Sequence, residues 1–418
     1  MRIGIDFRAM QIGHQYRGIG EVLRNACREL DRRAPATDEF VAFVDPTGLS
    51  VAPILEDVFG SDRAVVIVAL PHARRRAKWR RVLDSLSPRQ SELIRSSCDV
   101  LLQFDFQLGV PEGVASVVVV HDQIPIILGD RYPHIYWPHY RVARRSGQPV
   151  RTAAVRASRR WLYEQNLARV LGRATWVLAD SQHTAQTTTA FARSHGVDDL
   201  ASRLTVALLG HSAVSGPTEP LNVMEQDRIA GLGLAEVPFV FFLGGADDRR
   251  RIDLLVAAFN GLRARGTNFK LVLAGDTFSS VAAVGSEAGR RAIASSSYRH
   301  DIHLMGFVTR AERAWLYRTA AAFVFPSEFE GFGLPVLESL ALGCPVVAFD
   351  NSSLPEVAGP NAELVGESWR ELAAGIERLI ARDPKQKQID AVAGQAWAAG
   401  FTWETLGLVL ADRLDRLR

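Results

Sequence analysis

Short apolar runs alternate with segments of helical periodicity, and this alternation constrains the fold more than any other feature of the chain. Runs such as 114–120 and 237–243 are too short to span a membrane and suit buried strands. Strands that alternate with helices are typical of β-α-β units, so we predict an α/β fold with parallel sheets. The predicted strands cover residues 2–6, 40–44, 64–68, 100–104, 116–120, 175–179, 204–208, 239–243, 270–274, 301–304, 322–325 and 345–349, and the predicted helices include 19–33, 156–172 and one from residue 252.

The alternation is interrupted in the middle of the chain. Between residues 212 and 235 the sequence becomes polar, with Pro, Gly and Ser, which is typical of a linker loop. A length of 418 residues suits two domains. We predict a first Rossmann-like domain over 1–213 and a second over 214–401, with the carboxyl ends of their strands at one cleft. The segment 402–418 is predicted as an amphipathic helix that we assign to the first domain; Trp403, Leu406, Leu410 and Leu414 recur at helical spacing.

Charge is distributed unevenly between the predicted domains. Residues 1–213 carry 28 Lys/Arg against 21 Asp/Glu, and residues 214–418 carry 21 against 25, so the halves have net charges of +7 and −4 within a total of +3. A basic half predicts contact with an anionic surface or ligand. Two basic stretches, 74–81 around Trp79 and 141–160 before Trp161, fit either a peripheral surface for anionic lipid or a solvated helix face. Neither stretch has a nucleic-acid-binding motif, so no nucleic-acid partner is predicted.

Several classes of protein are excluded at this stage. No apolar stretch is long enough for a transmembrane helix, and the start, MRIGIDFRAM, does not resemble a signal peptide. The three cysteines, Cys27, Cys98 and Cys344, are widely spaced and give neither a disulfide framework nor a zinc pattern. We therefore predict a cytoplasmic protein with reduced thiols, bound peripherally to the membrane if the basic stretches bind lipid.

The segment 328–348, EFEGFGLPVLESLALGCPVVA, is the densest in chemically informative residues. A predicted strand ends before it, a turn with Gly331 and Gly333 follows, and a helix begins near Leu334, where Pro335 suits the first turn. The amides of such a turn, together with the positive end of the helix, can hold a diphosphate. Glycine-rich turns recur in many α/β proteins, so a purely structural strand–turn–helix is the alternative.

Two carboxylates flank this turn. Glu330 precedes it and Glu338 lies eight residues later, on the predicted helix. Carboxylates do not bind phosphate themselves, but they suit neutral hydroxyl groups on either side of it, such as those of a sugar and a ribose. The pattern therefore indicates a ligand with hydroxyl groups at both ends of a diphosphate.

Several motifs, in order along most of the chain, resemble the retaining glycosyltransferases of family four, which have the GT-B fold. The E-x7-E from Glu330 to Glu338, with FGLP inside it and GCPVVAFDNSSLPEVAG behind it, resembles their donor-site signature. His121 and Asp122, followed by Ile124 and Pro125, resemble the HD-x-IP turn of the O-antigen mannosyltransferase-like subgroup. The other matching segments are 239–259 (FVFFLGGADDRRRIDLLVAAF), HLMGFV at 303–308, which resembles the family's nucleotide-base loop, Ser181 in VLADSQHTAQ, and the first glycine loop at Gly18-Ile19-Gly20.

The resemblance implies a role for each matching residue. Glu338 is expected to bind the ribose, and Glu330 the donor sugar. Arg249 and Arg250 are expected to neutralise the departing diphosphate, and His121 to face the reacting side of the sugar. The remaining expected contacts to the donor come from Gly18, Gly20, Gly245, Phe307, Val308, Gly331, Phe332, Gly333 and Leu334.

The chain departs from the family pattern at three positions. Many relatives carry Lys in place of Arg250, Asn in place of Arg251 and Arg in place of Gly245. Arg250 keeps the positive charge but not the compact ammonium of Lys, so its contact with the phosphate is expected to differ. For residues 249–251 the alternative is a solvated charge run in a loop.

The resemblance predicts a retaining glycosyltransferase that needs no metal and no cofactor. It would move a hexose from a nucleotide-diphosphate sugar, with GDP-mannose favoured, to a cell-surface glycan or a lipid-linked acceptor. The D-x-D motif of metal-dependent transferases is absent, since Asp247 and Asp248 are adjacent. UDP-glucose, UDP-N-acetylglucosamine and dTDP-rhamnose stay open as donors. The alternatives for the whole chain are a nucleotide-sugar epimerase of the same fold and a catalytically inactive scaffold in a glycan-assembly complex.

Overall fold

The structure is a computed structural model that describes residues 1–11, 18–60, 63–71, 86–129, 149–212, 220–234 and 236–418, with the backbone alone for 149–159. The chain divides into two compact units, one formed by Met1–Gly210 with Thr402–Arg418 and the other by His211–Phe401. The basic stretch at 74–81 and most of the one at 141–160 lie outside the residues whose side chains are described.

The first unit contains a sheet of seven parallel strands in the order β3-β2-β1-β4-β5-β6-β7. The strands β4 and β5 are buried on both faces, as expected for central strands that helices cover on either side. The strands are β1 (Arg2–Asp6), β2 (Glu39–Val44), β3 (Val65–Ala69), β4 (Val100–Gln103), β5 (Ala115–Val120), β6 (Trp176–Ala179) and β7 (Leu204–Val206). The helices are α1 (Gly18–Arg33), α2 (Ala52–Phe59), α3 (Pro88–Ser97), α4 (Ile124–Ile127), α5 (Pro149–Arg173), α6 (Gln182–Ser194) and α7 (Leu200–Arg203).

The second unit contains a sheet of six parallel strands in the order β10-β9-β8-β11-β12-β13. Its strands are β8 (Phe239–Leu243), β9 (Lys270–Ala274), β10 (Ile302–Gly306), β11 (Ala322–Phe325), β12 (Val346–Phe349) and β13 (Ala362–Val365). Its helices are α8 (Val223–Ala230), α9 (Ile252–Ala264), α10 (Glu287–Ala294), α11 (Arg310–Thr319), α12 (Leu334–Ala341), α13 (Leu354–Ala358), α14 (Trp369–Ala381) and α15 (Pro384–Ala398). Both sheets confirm the predicted α/β fold.

The last helix, α16 (Trp403–Asp415), packs against α1 in the first unit. The side chains of Leu406 and Leu410 are fully buried in this contact region. Gly407 lies so close to Glu29 that a Cβ atom there would be 2.5 Å from the Cβ of Glu29. Among the helices that the structure describes, none combines the length and hydropathy needed to cross a bilayer.

The structure differs from the sequence predictions in two elements. The predicted linker loop contains the helix α8, which a capping box formed by Asn222 and Glu225 initiates. The strand β13 was not predicted, because the edge strand AELV carries a glutamate and only its last residue is buried. Gly18 and Gly20 lie in the first turn of α1, as expected for a helix predicted from residue 19, and their proposed contact with the donor stays a prediction.

Candidate functional site

The candidate donor site of the second unit lies where the direction of the strand order changes. β8 and β11 are neighbours at the centre of the sheet. From β8 the chain adds β9 and β10 on one side, and from β11 it adds β12 and β13 on the other. Open α/β sheets bind ligands at such a switch point, beyond the carboxyl ends of the strands. Arg249 and Arg250 follow β8, and Glu330 follows β11, so the fold brings these sequence-predicted residues together.

The turn between β11 and α12 is held by hydrogen bonds from a neighbouring loop. The Ser353 hydroxyl donates to the backbone oxygens of Glu330 (3.1 Å) and Phe332 (2.7 Å). The amide of Glu330 donates to the Ser352 hydroxyl at 3.1 Å. Gly333 caps α12 with a φ of 109°, a conformation that favours glycine. The predicted turn and helix start are confirmed, and the turn brings the backbone of 331–334 to the positive end of the helix.

Glu330 is buried between two arginines. Its Oε1 atom accepts from Arg249 Nη1 and lies 3.0 Å from Arg250 Nε, and the Ser327 hydroxyl donates to the same oxygen at 2.7 Å. The Arg250 guanidinium also lies over the Phe325 ring, 4.6 Å from its centroid. Burial alone would raise the pKa of Glu330, but the two guanidinium charges and the Ser327 hydrogen bond lower it below its ordinary value. The carboxylate is therefore held ionised.

The three consecutive arginines are not a solvated charge run. Arg249 and Arg250 are buried, and Arg249 Nε also lies 3.1 Å from Asp247 Oδ1. Arg251 adopts a left-handed φ of 41° and donates from Nη1 to Glu328 Oε1 at 2.7 Å. Each of the three arginines thus has a carboxylate neighbour. The charge pattern of the sequence did not predict these ion pairs.

Glu338 is buried on α12 with two partners on α11. Its Oε1 atom lies 3.1 Å from Arg313 Nη1, and its Oε2 atom accepts from the Tyr317 hydroxyl at 3.4 Å. Burial, with the adjacent charge of Glu338, raises the pKa of Tyr317 well above its ordinary value, so this hydroxyl stays a hydrogen-bond donor. Sequence reasoning missed Arg313 and Tyr317, because a helix 20 or so residues upstream gives no local signal for a contact with α12.

The predicted nucleotide-base segment, 303–308, covers the last part of β10 and the two residues after it. Phe307 exposes 61% of its surface, whereas Val308 is buried. Gly306, with a φ of 61°, precedes Phe307. Gly245, which follows β8, is exposed.

In the first unit, His121 follows β5 and is partly buried between two hydrogen-bond acceptors. Its Nδ1 atom lies 3.3 Å from Asp180 Oδ2, and its Nε2 atom lies 3.2 Å from the Phe104 backbone oxygen. Burial lowers the pKa of His121, but the hydrogen bond and charge of Asp180 outweigh it and raise the pKa above its ordinary value. Both ring nitrogens can donate at once only in the imidazolium form.

Further buried carboxylates surround His121 that sequence reasoning did not single out. Burial raises the pKa of Asp180 to about 6, against the lowering effect of His121. Burial likewise raises the pKa of Asp105 to about 6. The HD-x-IP motif contains neither carboxylate, and its own Asp122 accepts from the Ile124 amide at 2.9 Å at the start of α4. In the described parts of the chain, no group of three or more His, Cys, Asp or Glu side chains could hold a metal ion.

Residues 225–395 match the family model described as Glycosyl transferases group 1. The O-antigen chain mannosyltransferase B of Escherichia coli is 30% identical over 197 residues, which is 45% of this chain and 47% of that protein. The chain thus spans about half the length of this relative.

Solved structures match the whole chain. The Anabaena protein Alr3699/HepE in complex with UDP and glucose superposes with a TM-score of 0.68 at 17% identity, over 100% of both chains. Sucrose-phosphate synthase from Thermosynechococcus elongatus gives a TM-score of 0.65 at 19% identity, over 100% of this chain and 99% of that one. These comparisons confirm the resemblance drawn from the motifs. Residues 225–395 thus resemble a group 1 glycosyl transferase domain, and the chain has the GT-B fold.

Proposed function

We propose that the chain is a retaining, metal-independent glycosyltransferase that moves a hexose from a nucleotide-diphosphate sugar to a cell-surface glycan or a lipid-linked acceptor. GDP-mannose is the favoured donor. The observation that carries the proposal is the pairing of Glu330, the residue before the 331–334 turn, with Arg249 and Arg250. This arrangement provides a carboxylate for sugar hydroxyls, two cations for a diphosphate, and backbone amides at a helix start.

The charges of this cluster suit glycosyl transfer. In the transition state positive charge grows at the anomeric carbon, and negative charge grows on the departing diphosphate. Preorganised guanidinium and amide donors stabilise that negative charge without reorganisation. In our proposal the bound diphosphate takes over contacts with Arg249 and Arg250 that Glu330 holds in the structure. Glu330 then accepts hydrogen bonds from the sugar.

The reaction needs little additional acid or base. The bond between the anomeric carbon and the diphosphate oxygen breaks, and the acceptor hydroxyl oxygen forms the new bond on the same face. The hydroxyl proton passes to the leaving phosphate oxygen. Glu338 is proposed to bind the ribose, and His121, held beside Asp180, to face the sugar.

The choice of mannose is supported by a relative. The Escherichia coli protein that is 30% identical over 197 residues is named O-antigen chain mannosyltransferase B. We propose the same class of donor and a cell-surface glycan or lipid-linked acceptor for this chain, with catalysis on the cytoplasmic side.

The test is a binding and turnover series on the purified protein. GDP, UDP and dTDP are first compared by thermal shift, and the sugar donors of the best binder are then assayed for hydrolysis and transfer. We expect binding of one nucleoside diphosphate, a product that keeps the anomeric configuration by NMR, and unchanged turnover in EDTA.

A magnesium requirement would contradict metal independence. An epimerised sugar formed without acceptor would identify an epimerase, and a folded protein that binds none of the ligands would identify a scaffold.

We also propose that the basic stretches at 74–81 and 141–160 bind anionic lipid. Trp161, which ends the second stretch, exposes 46% of its surface, in line with a headgroup contact. Binding to vesicles is expected to require phosphatidylglycerol and to weaken as salt is raised from 50 to 500 mM, since salt screens exposed charges. Equal binding to neutral phosphatidylcholine vesicles would contradict this surface.

A further inference from the structure

The helix after the interdomain segment contacts the loop after β10. α8 lies in the stretch that the sequence predicts as a flexible linker, yet its side chains reach residues 305–309. These residues include the exposed Phe307 and belong to the predicted nucleotide-base loop. The contacts join a helix with no predicted role to a segment predicted to read the base.

Arg228 of α8 is the centre of these contacts. Its Nη2 atom donates to the backbone oxygens of Met305 and Phe307, the second at 3.1 Å. Its Nη1 atom lies 3.1 and 3.3 Å from the two carboxylate oxygens of Glu312. A guanidinium has several donors in one plane, so a single side chain can hold two carbonyl groups and a carboxylate together.

The carbonyl group of Gly306, between those of Met305 and Phe307, also accepts a hydrogen bond. The Gly306 oxygen accepts from the Gly275 amide at 2.8 Å. Three consecutive carbonyl groups, from 305 to 307, are thus fixed by donors from α8 and from the end of β9. The backbone that carries the Phe307 side chain therefore has a defined direction.

A second contact ties the same two helices together. Glu225 accepts from the Asn222 amide at 2.8 Å inside the capping box of α8, and its other oxygen accepts from the Thr309 hydroxyl at 2.7 Å. Thr309 is the N-cap residue of α11, and its own capping-box partner is Glu312. Glu225, the third residue of α8, thus bonds to the N-cap residue of α11 as well as to its own N-cap residue. Glu312, the third residue of α11, likewise bonds to Arg228 of α8 and to its own N-cap residue.

We propose that Arg228 is a positioning residue for nucleobase recognition. It acts through the 305–308 backbone, which it fixes in the conformation that presents Phe307 and the neighbouring backbone to the base. This inference rests on the proposed function, because it needs a bound nucleotide. It assigns base affinity to the α8 contact, and diphosphate affinity to Glu330, Arg249 and Arg250.

The test removes the carbonyl contacts without leaving a buried charge unpaired. Arg228→Met alone would strand the buried Glu312 carboxylate, so the variant is Arg228→Met with Glu312→Gln, in which Gln can still complete the capping box. Glu312→Gln alone keeps the carbonyl contacts of Arg228. Arg265→Met is the matched control, because Arg265 pairs with Glu377 at 2.8 Å on a half-exposed part of the same unit.

Affinities for GDP, UDP and inorganic pyrophosphate are measured by calorimetry on the full chain. We expect the double variant to lose about tenfold in affinity for whichever nucleoside diphosphate the wild type binds, with pyrophosphate affinity unchanged. In turnover its KM for the donor should rise while kcat changes little, the behaviour of lost uniform binding. Glu312→Gln and Arg265→Met should bind nucleotide like the wild type.

Three results overturn the inference. Unchanged nucleotide affinity in the double variant would show that Arg228 does not position the base loop, and an equal loss of pyrophosphate affinity would assign it a structural role only. A folded wild type that binds none of GDP, UDP and dTDP would overturn the proposed function together with this inference.

Discussion

At the scale of single residues, Glu330 is the side chain on which most of the proposed chemistry depends. It is buried, and Arg249, Arg250 and Ser327 all contact its carboxylate. Glu330→Gln keeps the shape of the side chain and removes the negative charge of the carboxylate, which is proposed to accept hydrogen bonds from the sugar hydroxyls. We expect turnover with GDP-mannose to fall by roughly 10²–10³-fold, the effect of deleting one transition-state contact. Steady-state kinetics with circular dichroism measures both activity and folding.

Glu328→Gln is the control for that substitution. Glu328 lies two residues before Glu330 in the same loop, and its carboxylate pairs with Arg251 at 2.7 Å. The substitution therefore also removes one carboxylate charge from the loop, but it leaves the proposed sugar contact intact. We expect it to keep most of the turnover. Equal losses in both variants would mean that the loop needs its ion pairs for stability, and that Glu330 has no special role toward the sugar.

His121 and Asp180 form the other pair that a single substitution can examine. In Asp180→Asn the hydrogen bond to a carboxylate and its charge are gone, while burial continues to favour the neutral ring. We expect the pKa of His121 to fall below its wild-type value. The measurement is an NMR titration of ¹⁵N-histidine-labelled protein, with His121→Gln to assign the resonance. A His121 resonance that titrates identically in both proteins would contradict the pairing.

The raised pKa of His121 also sets a direction for stability. The folded state holds the His121 proton at pH values where the unfolded state has released it. The resulting stabilisation is complete below about pH 6.5, the ordinary pKa of histidine, and it is lost as the pH rises through the pKa of His121 in the folded state. Between pH 6.5 and 8 the free energy of unfolding of the wild type should therefore fall more steeply than that of Asp180→Asn. Urea unfolding at several pH values measures this difference.

At the scale of elements, the turn before α12 depends on one glycine. Gly333 has a φ of 109°, and a Cβ atom there would lie 3.0 Å from Leu354 Cδ2. Gly333→Ala should cost about 1–2 kcal/mol of stability, because L-residues disfavour this region. It should also lower nucleoside diphosphate affinity, since the amides of 331–334 would shift. Thermal unfolding and calorimetry measure the two effects.

Gly266→Ala separates backbone strain from the site. Gly266 lies in the same unit with a φ of 90°, and nothing lies within 4 Å of the position of its Cβ atom. It should lose a similar amount of stability and retain full affinity for the nucleotide. A similar loss of affinity in both variants would argue against a specific role for the 331–334 turn.

The elements also show where sequence patterns succeed. The central strands were predicted almost to the residue, because parallel strands buried on both faces are continuous apolar runs. The helix α8 was missed although its signal was present, since Asn222 and Glu225 have the spacing of a capping box. The polar composition around it favoured a loop, and tertiary contacts by Arg228 and Glu225 stabilise the helix instead.

At the scale of the whole molecule, the last helix returns to the first unit after the chain has completed the second. Leu410 of α16 is fully buried, whereas Leu408 exposes 56% of its surface. Leu410→Ala should lower stability by about 2–5 kcal/mol, and Leu408→Ala by less than about 0.5 kcal/mol. Hydrogen exchange by mass spectrometry should show faster exchange in β1 and β4 for Leu410→Ala. Equal acceleration in β8 and β11 would mean that the helix stabilises both units.

The sequence by itself determined the α/β fold, the order of its strands along the chain, and the turn and helix around Glu330. It did so because hydrophobic periodicity and turn residues are local properties, each read within about ten neighbouring residues. Only the tertiary structure decided that Glu330 lies between Arg249 and Arg250, that Asp180 pairs with His121, and that Arg228 holds the 305–307 carbonyl groups. Those partners come from other strands and helices, and only the folded chain brings them within hydrogen-bond distance.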